Sequence, residues 1–293
     1  MIPEPSRTAE RTAEGPRRGH ERGMTMTAAS RRADRVLGAL ERRAARVAGR
    51  VGVDLPVRVR GGVGRGLRIS LRNASGDYAR GDNELPVQHA VVTHLRPGGV
   101  FYDIGSNVGF FALLAAHVVG PGGHVYAFEP VPENAACIRA NARANRFSDT
   151  ITVIGEAAGA RTGTAELWLD PHPGGATLSA SDAGSGATSR LEVRTVAVDE
   201  LVGTGRLRPP TVVKIDVEGA EPAVLDGMAE TIAAHHPVLI VEVDAADADT
   251  AQRKYDALAT RVAQAGYRVE QLPRSYTETA WNVLHFAAVP EPS

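Results

Sequence analysis

From Val100 onward, strand and helix patterns alternate, and this constrains the chain more than any other feature. Short apolar runs occur at VFYDIG (100–105), HVYAFEP (124–130), ITVIGE (151–156), TVVKIDV (211–217) and PVLIVEV (237–243). Between them lie segments of helical periodicity at 108–119, 133–145 and 221–234, then a helix at 250–265 and strands at 267–272 and 281–289. An unbroken apolar run suits a strand buried on both faces, and helices between such strands cover both faces of a parallel sheet. The expected fold is therefore α/β: a Rossmann-like doubly wound sheet occupying 97–293. Two further strands, TAELWL (164–169) and LEVRTV (191–196), flank a loop rich in Gly, Ser and Ala at 170–190. Long loops inside a domain are often functional, and this one, with His172, Thr177 and Ser179, reads as a lid or acceptor wall.

The part before the alternation is different in kind. Residues 1–50 hold 12 arginines, no lysine and 6 acids, so this arm carries +6, and with −1 overall the body carries −7. Residues 1–29 lack large apolar groups and are expected to stay disordered, because they cannot offset the entropy cost of ordering. Residues 30–96 read as an extension: a helix with Val36, Leu37, Leu40, Ala44 and Val47 on one side, a hairpin over 57–72, a polar turn at 73–83 and a helix at 85–95. The acidic body and the lack of an interleaved aromatic and basic stripe disfavour nucleic acid as a partner. No apolar run is long enough to span a bilayer, so no membrane partner is expected. With one cysteine, Cys137, no intrachain disulfide can form, which suits a reducing, cytoplasmic setting. The sequence gives no signal for an oligomeric state.

In a doubly wound sheet, ligands bind beyond the carboxyl ends of the strands, where the strand order reverses. The first strand ends in Asp103-Ile104-Gly105-Ser106-Asn107-Val108-Gly109. Dinucleotide folds show G-x-G-x-x-G so that a pyrophosphate can sit on the helix. Here the spacing is G-x-x-x-G, with Asp103 two residues ahead of the first glycine. An acid there repels phosphate and attracts an ammonium, so the ligand expected is S-adenosylmethionine. Glu129 ends the second strand and can accept from two ribose hydroxyls. Pro130 forms an apolar lip beside it. Glu156 and Ala157 end the third strand, where a small residue leaves room for a flat base.

The fourth strand ends in Lys214-Ile215-Asp216-Val217-Glu218-Gly219-Ala220-Glu221, and Glu242 and Asp244 end the fifth. Glu221 reads as a helix N-terminal acid and Lys214 as an ion-pair partner. Asp216 and Glu242 share a rim. They can act as general base toward a hydroxyl or hold a divalent cation through oxygen. With no histidine suitably placed in the sequence, the expectation is a metal-free site with one acid as base.

These blocks, YDIGSNVGFFALLAA, VYAFEPVPENAACIRANARAN, VVKIDVEGAEPAVLDG and PVLIVEV, resemble the FkbM-type S-adenosylmethionine-dependent methyltransferases over about residues 60–289. The family pattern D-x-G-A-N-x-G differs here only in Ser106 for Ala. The resemblance implies a seven-stranded sheet with the last strand antiparallel. It also implies methyl transfer, usually to oxygen, on a small-molecule acceptor such as a polyketide, sugar or other secondary metabolite. By the same resemblance Asp103, Gly105, Ser106, Asn107, Gly109 and Glu129 bind the cofactor. Glu84, in GDNELP, matches an acid ahead of the first core helix and reaches the cofactor's amino end or the acceptor. The catalytic residue implied is Asp216, with Glu242 second. The rival readings are a non-catalytic S-adenosylmethionine-binding protein and a nucleic-acid methyltransferase.

Overall fold

The computed structural model describes residues 55–70, 76–169, 176–177, 189–276 and 282–291. The N-terminal arm, the helix expected at 30–50, and His172 and Ser179 of the loop lie outside these residues.

The seven-stranded sheet comprises β3 (Val100–Ile104), β4 (His124–Phe128), β5 (Ile151–Ile154), β10 (Val212–Ile215), β11 (Val238–Ala245), β12 (Tyr267–Gln271) and β13 (Asn282–Pro290). Its order is β12-β13-β11-β10-β3-β4-β5. The β10–β11, β10–β3, β3–β4 and β4–β5 pairs are parallel, and β13 runs antiparallel to both its neighbours. The chain starts in the middle at β3, winds outward through β4 and β5, then returns to β10 on the other side. The order therefore reverses between β3 and β10.

Strand alternation sorts the side chains onto two faces. One face presents Tyr102, Ile104, Val213, Ile215, Val241, Val243 and Phe286 to helices α5 (Val198–Gly203), α6 (Glu221–Asp226), α7 (Ala229–His235) and α8 (Ala248–Gln264). Helix α8 shows how this face is held. Ala251, Tyr255, Leu258 and Val262 recur every three or four residues and are all buried. Full burial of a side chain such as Leu258 or Val262 stabilises by about 1.5–3 kcal/mol.

The other face presents Phe101, Val125, Val212 and Ile240 to α2 (Leu85–His94), α3 (Phe110–Val119) and α4 (Pro132–Asn145). The same core includes Val57, Val59, Leu67 and Ile69. These residues belong to the hairpin of β1 (Val57–Arg58) and β2 (Arg68–Ile69), which pair antiparallel as the sequence suggests. Asn141 on α4 ties the hairpin to the glycine turn. Its Oδ1 accepts from the Ser70 N–H at 2.8 Å, and its Nδ2 donates to the Val108 carbonyl at 2.9 Å.

Two expectations need correction. The polar turn at 73–83 contains a short helix, α1 (Gly76–Arg80), with Asp77 in its first turn, Arg80 in its last and Tyr78 packed on Phe110 at 5.4 Å. Those charges suit the helix dipole. The single helix expected over 221–234 is two, α6 and α7. A Cβ at Gly227 would lie 1.9 Å from the Gly159 carbonyl, so the backbones touch where the helix breaks. Asp199 of α5 then caps α7, accepting from Thr231 N–H at 2.7 Å and Glu230 N–H at 3.0 Å. The two strands expected on either side of the 170–190 loop are present, and they belong to a separate four-stranded sheet. Its order is β6 (Ala157–Ala158), β9 (Ser189–Val196), β7 (Gly163–Leu169), β8 (Ala176–Thr177). Thr177 of the loop pairs with Trp168 in this sheet.

Candidate active site

The alternation that sends Tyr102 and Ile104 to one face sends Asp103 to the other. Lys214 on β10 stands opposite Asp103 in register, and Glu242 on β11 stands opposite His285 on β13. These four polar side chains share the face covered by α2 and α3, close to the rim where the order reverses. The antiparallel course of β13 matters, because it brings the amino-terminal half of that strand to the rim where its parallel neighbours end.

The glycine turn is built by backbone contacts. Gly105 and Ser106 N–H groups both donate to the Phe128 carbonyl, at 3.1 and 3.0 Å, and Ser106 Oγ donates to the Asp103 carbonyl at 2.6 Å. Gly105 has φ +81°, and a Cβ there would lie 1.7 Å from the Asp216 carbonyl oxygen. Glycine is required at this position by the end of β10, in addition to any ligand. Gly109 caps α3 at its N-terminus. Asp103 is 1% exposed, and neither of its carboxylate oxygens meets a hydrogen-bond donor. Burial raises its pKa to about 6, against the pull of Lys214.

Glu129, just past β4, is equally buried but well served. Its Oε2 accepts from the Asn107 N–H at 2.8 Å and its Oε1 from the Val131 N–H at 2.9 Å. Burial pushes its pKa up to about 7, with those N–H groups pulling the other way. Pro130, half-buried, follows it directly. Glu156 is held by an ion pair to the exposed Arg194 at 2.9 Å, and Ala157 leaves the main sheet to begin β6.

The second half of the rim is dominated by acids. Lys214 Nζ donates to Asp216 Oδ2 at 2.7 Å and lies 4.8 Å from the centre of the Phe111 ring. Burial works against its charge, but Asp216, Glu84, Asp103 and Glu242 outweigh it and push the ammonium pKa up. Glu84 caps α2 in a left-handed conformation, with φ 42°. The loop ahead of it is fixed by Gln88, whose Nε2 donates to the Asn83 carbonyl at 2.5 Å. Glu84 is buried, and burial together with Glu242 raises its pKa to about 8. Tyr276 donates to its Oε1 at 3.2 Å. Burial and the Asp216 charge lift Glu242 well above the usual carboxyl range. Glu218 is pushed up to about 11 by burial and its neighbour Asp244. Glu221 opens α6, as expected, and accepts from the Gly219 N–H at 3.0 Å.

A histidine also reaches these acids, contrary to the expectation that none is suitably placed. His285 Nε2 lies 2.6 Å from Glu242 Oε2 and 3.8 Å from Glu84 Oε2. Burial lowers the imidazole pKa and so favours the neutral ring. The tautomer of that ring decides which partner donates in the short contact. The one signal in the sequence was a polar residue inside the apolar run NVLHFAAV. Only the strand register reveals what it faces.

Of the residues singled out from the sequence, the structure gathers Glu84, Asp103, Asp216 and Glu242 around Lys214. It places Gly105, Ser106, Asn107, Gly109, Glu129 and Pro130 along the adjoining turn. Glu156 and Ala157 lie one strand further out.

A cluster of acids beside a glycine turn, at the point of strand reversal, repels phosphates and suits a ligand bearing sulfonium and ammonium charges. The class of protein this fold and site define is the S-adenosylmethionine-dependent methyltransferases. Residues 103–269 match the Methyltransferase FkbM domain, and the chain belongs to that family. Its cofactor is S-adenosylmethionine. The residues present fit that molecule: Asp103 offers two buried oxygens without donors, and Glu129 holds a carboxylate in place by backbone N–H groups.

The chain is 31% identical over 169 residues to the 31-O-demethyl-FK506 methyltransferase FkbM of Streptomyces tacrolimicus, covering 49% of this chain and 64% of that one. It is 32% identical over 146 residues to the hexuronic acid methyltransferase AglP of Haloferax volcanii, covering 50% and 56%. The match thus spans less than two thirds of either relative. The crystal structure of Methyltransferase FkbM from Methylobacillus flagellatus KT superposes with a TM-score of 0.45 and 16% identity, over 72% of this chain and 60% of that one. Among the described residues, no helix is long and apolar enough to cross a membrane.

Proposed function

We propose that this protein methylates a hydroxyl oxygen on a small molecule such as a polyketide, sugar or other secondary metabolite. In this reading Asp103, Asn107 and the turn at Gly105–Gly109 hold the amino-acid end of the cofactor, and Glu129 holds its ribose. Pro130, Glu156 and Ala157 border the base. When bound, S-adenosylmethionine supplies a methyl carbon activated by its sulfonium, which departs with the carbon–sulfur electron pair. The chain's own work is to align the acceptor oxygen and take its proton.

The observation that carries this reading is the placement of Asp216. It lies against the cofactor turn through the Gly105 contact, it is anchored by Lys214, and its side chain is 23% exposed against 13% for Glu242. The more accessible acid is the base, and Glu242, bonded to His285, supports it. The two relatives' names, one with an O-demethylated FK506 and one with a hexuronic acid as acceptor, agree with a small hydroxylated substrate. A buried, single cysteine accords with a cytoplasmic setting.

The test is incubation with methyl-deuterated cofactor and a panel of hydroxylated acceptors, read by mass spectrometry. Transfer to oxygen supports the proposal. Cofactor binding by calorimetry with no transfer to any member would favour a non-catalytic binding protein instead.

A further inference from the structure

Four carboxyl groups, Glu84, Asp103, Asp216 and Glu242, act on a single ammonium, Lys214; Glu84, Asp103 and Lys214 are buried, and Asp216 and Glu242 half-buried. Isolated charges of one sign are too costly to bury, so such an excess is neutralised by protons or by a cation. His285 supplies what a purely acidic cluster lacks. Its ring presents Nε2 to two carboxylates on different elements, Glu242 on β11 and Glu84 at the start of α2.

We propose that Glu84, Glu242 and His285 form a binding site for one divalent first-row cation, with Mn²⁺ as the best match to the donor set. One ligand atom from each of the three residues lies within 4.8 Å of the others. The separations from Nε2 are 2.6 Å to Glu242 and 3.8 Å to Glu84. Two adjacent ligands on a cation with bonds of about 2.1 Å stand roughly 3 Å apart, so small side-chain adjustments close the triangle. Glu84 provides an independent indication. It is 7% exposed, its Oε2 meets no donor, and that oxygen is the one facing His285. Carboxylates suit Mg²⁺ and Mn²⁺, and imidazole suits the later metals. Mn²⁺ accepts both.

Three protein ligands leave coordination positions open. In the methyl-transfer reading, which this clause alone depends on, a cation held by Glu84, Glu242 and His285 would lower the pKa of the acceptor hydroxyl, and Asp216 would take its proton.

The experiment uses the full chain, stripped with chelator and dialysed, then titrated with Mn²⁺ and followed by the loss of the free-ion electron paramagnetic resonance signal. One equivalent should bind, and His285→Ala should weaken binding tenfold or more. Because that change lies in a central strand, Glu84→Gln serves as the second variant, with folding checked by circular dichroism, and it should weaken binding similarly. No binding to the wild type, or binding unchanged in both folded variants, would overturn the proposal. Cofactor affinity is measured on the same samples by calorimetry. Failure of the wild type to bind Mn²⁺ while it still binds the cofactor removes the cation site alone, whereas absent cofactor binding removes the methyltransferase reading and leaves the cation result standing.

Discussion

Glu129 is a buried acid just beyond a parallel strand and Glu242 a half-buried acid near the end of another, and they are treated in opposite ways. Each oxygen of Glu129 accepts a backbone N–H. Glu242 faces Asp216, Asp244 and His285. Burial raises both, but at Glu129 the surroundings oppose the rise, and at Glu242 they add to it. The lesson concerns ligands. A carboxylate fixed by amides is preorganised for hydroxyl groups and costs nothing further when they arrive. A carboxylate crowded by its own kind is a store of unfavourable charge, which a cation or a shared proton relieves.

The largest effect that tests this contrast is on turnover. Asp216→Asn keeps the shape of the crowded half and removes its base, so the rate constant should fall about 10²–10⁴-fold, the usual contribution of a positioned base. Cofactor affinity should change little. A variant with near-normal turnover would move the base elsewhere, Glu242 first.

In the well-served half, Glu129→Ala should weaken cofactor binding by about 1.5–3 kcal/mol, as expected for hydrogen bonds to a charged group. Calorimetry on the folded variant decides this, and unchanged affinity would remove Glu129 from the ribose site.

Stability should depend on pH in a way that divides the two halves. Glu129, Glu84 and Asp103 have native values of about 7, 8 and 6, all above their ordinary values of 4.5, 4.5 and 3.8. The folded state therefore holds protons more tightly than the unfolded chain. The stabilisation is complete below the ordinary values and is lost as pH rises through the native ones. The melting temperature of the ligand-free protein should fall from about pH 4.5 toward pH 8. Glu84→Gln should flatten the upper part of the fall and Glu129→Gln the part ending near pH 7. A profile that rises over this range would contradict the assignment.

The smallest effect is expected outside both halves. The Arg194–Glu156 pair involves an arginine side chain that is 74% exposed, so Arg194→Ala should cost no more than about 1 kcal/mol in thermal or urea denaturation.

How much of this was readable beforehand follows from the range of the interactions. The central strands and α2, α3, α4 and α8 were legible, because burial imposes a local period on them. The short helix α1 was hidden by its polarity, and α5 was overlooked because a six-residue helix shows no full period. The break at Gly227 depends on the Gly159 backbone, far away in sequence. In the site, the glycine turn and the terminal acids stood out because strand ends are predictable. His285 did not, because its meaning comes from facing Glu242 across β11 and β13. Tyr276 was invisible for the same reason, since it reaches Glu84 from 192 residues away.

The contact between Gly105 and the Asp216 carbonyl has a mechanical consequence. The cofactor turn and the strand carrying the proposed base share a wall one backbone thick, with no side chain between to act as a cushion. A displacement on either side is passed to the other almost undiminished, and misplacement by about 1 Å at a reacting centre can cost 100-fold in rate. Attempts to redirect this scaffold to new acceptors should therefore change side chains around the mouth and leave the main chain of 103–107 and 214–217 untouched.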